Sequence, residues 1–508
     1  MQIGRNELYT DVQLVTYENI IEILQSAFPL HQSNAMRMDY LLDYEGGKQP
    51  LLRKKTYRKD IDCQCVDNVA HEISKFHIGY KWGVPITIVQ KGEKNKESQD
   101  VVDAIAMLNE QYEEQQIRKK TQRLARFVEI CGVGYTFVDI NTDRRDEESY
   151  FNIEALDPRT TFVIRSSYYY DKRVMIAVTY RTDNSGNRYF TCFTENDRFE
   201  ILNLAKITNG KKVKQEESWN HVERSGEINP LGIIPIVEWV RNDDRMGCFE
   251  RQIPDLNNLN LLISDFTNDV DQNTQAIWHG NDIAFPTEII KNEDGTITEK
   301  VKKPGTNEWV ITQTTQDGKT PFVKPLAVEY DYQGMLNNIV TRRAIILQNA
   351  DVPCRNDNSG GSTGIAMSDA TGWSNAETVA AAQQNIMESC KMEELKVVLR
   401  AIKTSSFVPA NSPLLNLKCK DCQPNIKRNK TYELANKTNS WATLVSHGMN
   451  GYHALKTVNL VDDVNQVWMD SKEMIEKYQD SLFNKTTKDE GRLQADYSDQ
   501  TSNSPNLK

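Results

Sequence analysis

Pro254-Asp255-Leu256-Asn257-Asn258-Leu259-Asn260-Leu261-Leu262-Ile263-Ser264-Asp265-Phe266-Thr267-Asn268-Asp269-Val270 is the stretch on which the architecture of this chain turns. Proline is favoured at the first helical position because its missing N–H has no helical partner there. Leu256, Leu259, Ile263, Phe266 and Val270 then follow at spacings of three and four, the seam of a helix that packs lengthwise on its neighbours. The pattern predicts a helix from about Pro254 to Gly280, roughly 40 Å long at ~1.5 Å per residue. A lone rod with such a seam needs more than a single return helix to cover it.

Working outward, residues 281 to 328 read as β, with turns at Glu293-Asp294-Gly295 and Asp317-Gly318. A return helix carries Tyr332, Leu336, Ile339, Ile346 and Ala350 and stops at Pro353. Two helices therefore bracket a small β segment. Beyond them lies Arg355 to Trp373, rich in Gly, Ser, Thr, Asn and Asp, in which Arg355 is the only cation. Loops longer than ~12–15 residues inside a folded protein are commonly functional or disordered. Ser374-Asn375-Ala376-Glu377 has the form of a capping box opening a helix to about Phe407. An extended stretch from Asn411 to Ile426 and helices from Tyr432 to Phe483, broken at Gly448 and Gly451, complete that side.

On the N-terminal side, Tyr17 to Leu52 is mixed and leads to a basic run from Arg53 to Lys59. Val69, Ile73 and Phe76 place a helix stopped by Gly79, Gly83 and Pro85, and residues 101 to 131 form a longer one with a single break of phase. From 135 to 240, runs such as Tyr135 to Ile140, Val174 to Tyr180 and Arg188 to Thr194 alternate with Asp, Asn and Gly turns, predicting a mostly antiparallel β unit. The fold class is α+β.

The 508 residues carry 61 Lys and Arg against 71 Asp and Glu, a net charge of −10. Such a surface repels polyanions on average and argues against tight phosphate binding. No apolar window is long enough for a membrane span, and Met1 to Asp11 has no secretory pattern, so a soluble intracellular chain is expected. Nine scattered cysteines read as reduced, mostly inert thiols; Cys63-x-Cys65 and Cys419-x-x-Cys422 would each supply only half a zinc site. No metal or cofactor is expected.

Several motifs imitate chemistry. Gly318-Lys319-Thr320 lacks the earlier glycine of a phosphate loop, since Gln313 stands there, and Pro321 follows where a helix must start. Gly132-x-Gly134 lacks a third glycine, with Phe137 in its place. His71 and His77 are six residues apart, about 240° round a helix, so their rings diverge. Asp243-Asp244 and Asp462-Asp463 leave open a metal-dependent nuclease or phosphodiesterase acting on DNA, although such pairs usually mark turns. No nucleophile has a recognisable base beside it, so the expectation is a protein that is not an enzyme.

Four stretches, taken in order, resemble the portal, or head-to-tail connector, proteins of long-tailed bacteriophages, in the family typical of phages of Gram-positive hosts. They are Tyr44-Glu45-Gly46 through Gln49-Pro50-Leu51-Leu52-Arg53 and Asn68 to Gly79-Tyr80-Lys81-Trp82-Gly83-Val84-Pro85-Ile86; Ala155-Leu156-Asp157-Pro158 with Phe162-Val163-Ile164; Asn229-Pro230-Leu231-Gly232-Ile233-Ile234-Pro235-Ile236-Val237-Glu238-Trp239, leading through Asn242 into the long helix; and Ser362-Thr363-Gly364-Ile365-Ala366-Met367, with Trp441 to Val461 beyond. The likeness runs from about residue 30 to 485. It departs where the family often has a hydrophobic loop, since Ser368, Asp369 and Thr371 are polar here.

The resemblance implies a ring of about twelve identical subunits at one capsid vertex, through which double-stranded DNA is packaged and ejected. It implies a wing over 1–245 with a helix and strand over 374–430, a first stem helix over 246–280, a clip over 281–328, a second stem helix over 329–354, a tunnel loop over 355–373, a helical crown over 431–485 and a mobile tail over 486–508. Leu256, Leu259, Ile263, Phe266 and Val270 would pack subunits, and Trp309, Phe322, Lys302 and Lys303 would dock partners at the clip. Arg355, Asn356, Asn358, Gly360, Gly361, Ser362, Thr363, Gly364 and Ser368 would face the DNA channel. Implied partners are the terminase large subunit, the head-completion adaptor, scaffolding and major capsid proteins, and DNA. The implied location is the virion, after assembly in the host cytoplasm. Twelve helices ~10 Å apart close a circle ~38 Å across their axes, leaving a bore near 28 Å. A duplex on the order of 20 Å wide, with its ~12 Å major groove, would pass. The acidic balance then suits a conduit that must not grip its strand, or is simply an acidic surface.

Overall fold

A computed structural model of the chain describes residues 4–51, 61–91, 99–145, 147–168, 170, 172–204, 218–274, 278–281, 287–291, 295, 297–301, 322–325, 331–353, 372–428, 434–458, 460–461, 464, 467–468, 471–474 and 477. These fall into two compact units. The larger comprises 1–48, 68–253 and 347–508, and the smaller 49–67 and 254–346. The mixture of helix and mostly antiparallel strand is α+β, as the sequence pattern requires.

Two sheets organise the larger unit. In the first, β5 (Thr161–Ser166), β6 (Val174–Thr182), β7 (Arg188–Phe193) and β8 (Asp197–Leu204) run antiparallel in chain order. β1 (Leu8–Thr10) joins β5 in parallel, while β9 (Ser218–His221) and β10 (Glu227–Ile228) join β8. Helix α1 (Ile20–Glu45) covers this sheet, burying Ile20, Leu24 and Phe28 against Phe162, Ile176 and Phe190. The mixed composition of Tyr17 to Leu52 concealed α1. Pro29 stands inside it, and its buried residues include the polar His31, Asn34 and Glu45: His31 meets the Arg159 carbonyl at 3.0 Å, and Asn34 bonds both the N–H and C=O of Asn6.

The second sheet has the order β11 (Ile236–Val240), β3 (Val133–Ile140), β4 (Phe151–Leu156). Its alternating residues Val138, Ile153, Val237 and Trp239 face an apolar layer made of two clusters. That layer is built by α2 (Val69–Trp82), α3 (Gln99–Glu114), α4 (Ile117–Cys131) and α7 (Trp373–Thr404). The break of phase within 101–131 is a real break, because Gln116 adopts φ +53° between α3 and α4. Gly79, expected to stop α2, lies within it, and the helix runs on to Trp82. Gly132 caps α4 with φ +79°, and a Cβ on Gly134 would meet Leu124 and Val128 at 2.9 Å; close helix-on-sheet packing accounts for this glycine pair. β2 (Thr87–Gln90) pairs with β16 (Cys422–Asn425). In the stretch expected to be extended, 3-10 turns at Pro413–Leu415 and Cys419–Asp421 precede β16. α8 (Leu434–Ser446) and α9 (Gly451–Val458) follow, separated near Gly448 and Gly451 as expected.

The smaller unit contains α5 (Ile253–Thr274) from Pro254 on, α6 (Tyr332–Asn349) up to Ile346, and strands between them. α5 is shorter than the expected run to Gly280, about 33 Å at ~1.5 Å per residue. After Val270 the polar run Asp271-Gln272-Asn273-Thr274 has nothing to bury, and Trp278–Asn281 is already strand, β12. β12 pairs with β15 (Phe322–Pro325), and β13 (Thr287–Lys291) pairs with β14 (Ile297–Val301) around Gly295 at φ +80°. Residues 49–67 also lie in this unit.

Candidate assembly and conduit elements

Helix α5 uses two sets of side chains for two purposes. Leu256 and Leu259 are buried at 1% exposure, Ile263 and Phe266 are half-buried, and Val270 is 38% exposed. The seam therefore fades from core to surface along the rod. Phe266 meets Tyr332 of α6 edge-on, with ring centres 6.0 Å apart, so the two helices touch at that point.

The second set was not read from the sequence. Asn260, Ser264 and Asn268 recur every four residues and are all buried. They form a ladder for the extended segment 61–67. The Asp67 N–H donates to Asn260 Oδ1 (2.9 Å), the Cys65 N–H to Ser264 Oγ (3.0 Å) and the Cys63 N–H to Asn268 Oδ1 (2.7 Å). Four residues of helix rise ~6.0 Å and two of extended chain ~6.6 Å, so every second strap amide meets a rung. Asn260 also donates to Gln49 Oε1 (2.6 Å), and Arg343 of α6 pairs with Asp67 at 2.9 Å. The Cys63 thiol donates to Asp271 (3.3 Å), whose carboxylate raises its pKa. The Cys65 sulfur lies 3.7 Å from Thr267 Oγ1, so both thiols face α5. The missed signal was the four-residue spacing of small polar residues, which resembles a solvated face until something extended lies on it.

Exposed apolar side chains gather on the remaining surface of this unit. Leu336 and Val340, four apart on α6, are exposed, Val340 at 65%. On the β13–β14 hairpin, Ile289 and Ile297 lie on the same face and are 66% and 63% exposed. Phe322, one expected docking residue, lies on β15 opposite Asn281, 37% exposed, with the Lys324 ammonium 5.7 Å from its ring centre. Trp309, Lys302 and Lys303, the channel residues Arg355 to Ser368, the turn at Asp317-Gly318 and the tail over 486–508 lie outside the described residues.

Charged groups in the larger unit are spent on holding it together. Glu129 receives Lys81 (2.6 Å), Arg241 (2.9 Å) and the Trp82 indole N–H (3.0 Å). Burial alone would raise its pKa, but Lys81 and Arg241 hold it well below the usual carboxylate range, while burial brings Lys81 down to about 8. Glu238 likewise joins Arg245, Arg165 (2.6 Å) and the Tyr135 hydroxyl (2.9 Å); the two arginines outweigh burial and lower it to about 2. Asp244, half of the acidic pair that left a nuclease open, pairs with Arg251, and Asp462-Asp463 lies outside the described residues. Among the described residues, no group of three or more His, Cys, Asp or Glu is arranged to hold a metal ion, and no helix is long and apolar enough to cross a membrane. His71 is largely exposed and His77 buried, facing apart as their spacing requires.

The expected capping box is not formed. α7 starts at Trp373 after Gly372 at φ +85°, without a side-chain cap. Glu377 instead accepts from the Tyr80 hydroxyl and pairs with Arg428 at 3.1 Å.

A structural subunit with buried charges and exposed apolar rod and hairpin surfaces is the class these features define. Residues 30–481 match the family model of phage portal proteins described as SPP1 Gp6-like, and the chain belongs to that family. No curated relative matches it significantly. The protein serves phage portal function in genome packaging; the family is structural, a component of the virion that works as an oligomeric ring with capsid, terminase and DNA.

Proposed function

We propose that about twelve copies close into one ring at a single capsid vertex, with α5 and α6 as its stem and the strands between them as the clip. The terminase large subunit and later the head-completion adaptor dock on that clip, while scaffolding and major capsid proteins meet the wing formed by 1–245 and 374–430. Residues 431–485 are the crown and 355–373 the tunnel loop. Assembly takes place in the host cytoplasm. Packaging energy comes from a separate ATPase. The observation that carries this reading is the surface of the smaller unit: its rod seam fades outward, and Leu336, Val340, Ile289 and Ile297 are exposed to water. A cyclic assembly, which needs two different surfaces on each subunit, gives such side chains neighbours.

Changing the exposed Leu336 and Val340 of α6 together to Asp tests it. Burying carboxylates at a subunit contact is costly, so the double variant yields monomers or aggregates by native mass. Rings of unchanged size would refute the stem assignment. For the tunnel loop, changing Gly360, Gly361 and Gly364 together to Pro leaves rings intact and lowers packaged DNA per particle; normal genome lengths at normal yield would make the loop a passive connection.

A further inference from the structure

The two ends of segment 354–371 are brought to one place. A Cβ on Gly372 would lie 3.8 Å from the Cα of Pro353. Side chains from several elements converge there on backbone that a helix end leaves without partners. His77 Nε2 lies 2.8 Å from the Ala350 carbonyl, and Gln252 Nε2 donates to the Asn349 carbonyl at 3.0 Å. Asp351 adopts φ +58°, a conformation a non-glycine residue holds only when its surroundings impose it, and its carboxylate accepts from Asn375 of α7 at 2.9 Å. On the other end, Trp373 sits edge-on to both Phe76 and Tyr80, with ring centres 5.9 and 5.7 Å apart. Phe76 and Tyr80 stack on each other, and Tyr80 donates to Glu377. One face of α2, residues 76, 77 and 80, thus receives both ends, and α2 is anchored by buried Val69, Ile73 and Trp82.

We propose that α2 is a clamp that pins the two ends of segment 354–371 together, with His77 as the positioning residue whose Nε2–H holds the outgoing end at Ala350. The proposal rests on the tunnel-loop reading of that segment. Helix ends open at almost no free-energy cost unless they are tied. DNA moving past a loop loads both ends of it, and the clamp passes that load into the core beneath α2 instead of unwinding α6 and α7.

The test uses assembled rings containing a minority of subunits spin-labelled at Gln348 and Ser374, and the same variants in phage particles. The wild type and His77→Gln, which keeps an N–H donor, give a narrow label-to-label distance and normal DNA-filled heads. His77→Leu forms rings, raises the population of the broad, open distance by a factor of about 5–30, as expected for one lost buried hydrogen bond, and lowers the number of filled heads. Asn375→Ala, at an exposed position, shifts both readouts in the same direction by less. A narrow distance in His77→Leu, or normal packaging despite a broad one, overturns the clamp. If His77→Leu does not assemble and Asn375→Ala changes neither readout, the clamp is likewise overturned. Failure of the loop reading is distinguishable: normal packaging by the triple glycine-to-proline variant removes it whatever His77 does, whereas a defect there with intact packaging in His77→Leu removes only the clamp.

Discussion

The larger unit pairs buried charges in its interior while Leu14, Met36 and Ile228 stay exposed on its surface; the smaller one crowds exposed apolar side chains onto one helix and one hairpin. In the first, Glu129 and Glu238 lie in the interior, each met by two cations and an aromatic donor, under apolar layers. In the second, a polar ladder holds residues 61–67 against α5, and Val340, Ile289 and Ile297 face solvent. A body that satisfies itself internally keeps its shape whatever surrounds it. On the proposed reading, a helix pair with open apolar faces is completed by neighbours, and the contrast then separates what folds from what assembles.

Breaking the charge clusters should give the largest effect on that contrast. Glu129→Ala leaves Lys81 and Arg241 buried without their partner, and the cost should be ~3–5 kcal/mol in chemical denaturation. Removing the exposed pair through Arg251→Ala should cost no more than ~1 kcal/mol. Equal effects from the two would mean that the buried cluster is solvated and the contrast is false.

Next comes the ladder. Asn260→Ala strips partners from the Asp67 N–H and Gln49, a loss of ~1–3 kcal/mol confined to the smaller unit. Amide exchange at Cys63, Cys65 and Asp67 should accelerate while β3 and β11 keep their protection. Uniform acceleration in both units would merge them into one cooperative body.

The smallest effect is a pH slope. Burial lowers His31 to about 4 from an ordinary value of 6.5, with its bond to the Arg159 carbonyl opposing only in part. The unfolded chain therefore binds a proton that the folded one refuses as pH falls from 6.5 towards 4, and stability declines across that window. His31→Gln should flatten the decline by at most ~1.4 kcal/mol per pH unit, read from denaturation midpoints at pH 7, 5.5 and 4.5. His77, lowered to about 3 by burial and by Lys81, retains its own share of the slope. An unchanged slope in the variant would mean that His31 is solvated.

How much of this could be read beforehand follows from which forces leave a periodic trace. The α5 seam did, because apolar burial on a helix repeats every three or four residues, and so did the alternation in β3 to β8. α1 did not, because Pro29, His31 and Asn34 break an apolar pattern while still serving the core. The strap went unseen because its partners, Asn260, Ser264 and Asn268, look like a wet face until the extended chain is laid on them. Ser374 and Glu377 have capping-box spacing, but Glu377 is claimed by Tyr80 and Arg428, a tertiary demand that no local spacing records.

The central claim, that the smaller unit's open apolar surfaces are completed by further copies of this chain, is tested most directly by single-particle imaging of the purified full-length protein. The account predicts closed rings of about twelve subunits with an axial hole wide enough for a DNA duplex on the order of 20 Å across, built with the α5–α6 pairs side by side. Monomers at micromolar concentration, or open filaments in which those helices touch nothing, would contradict it.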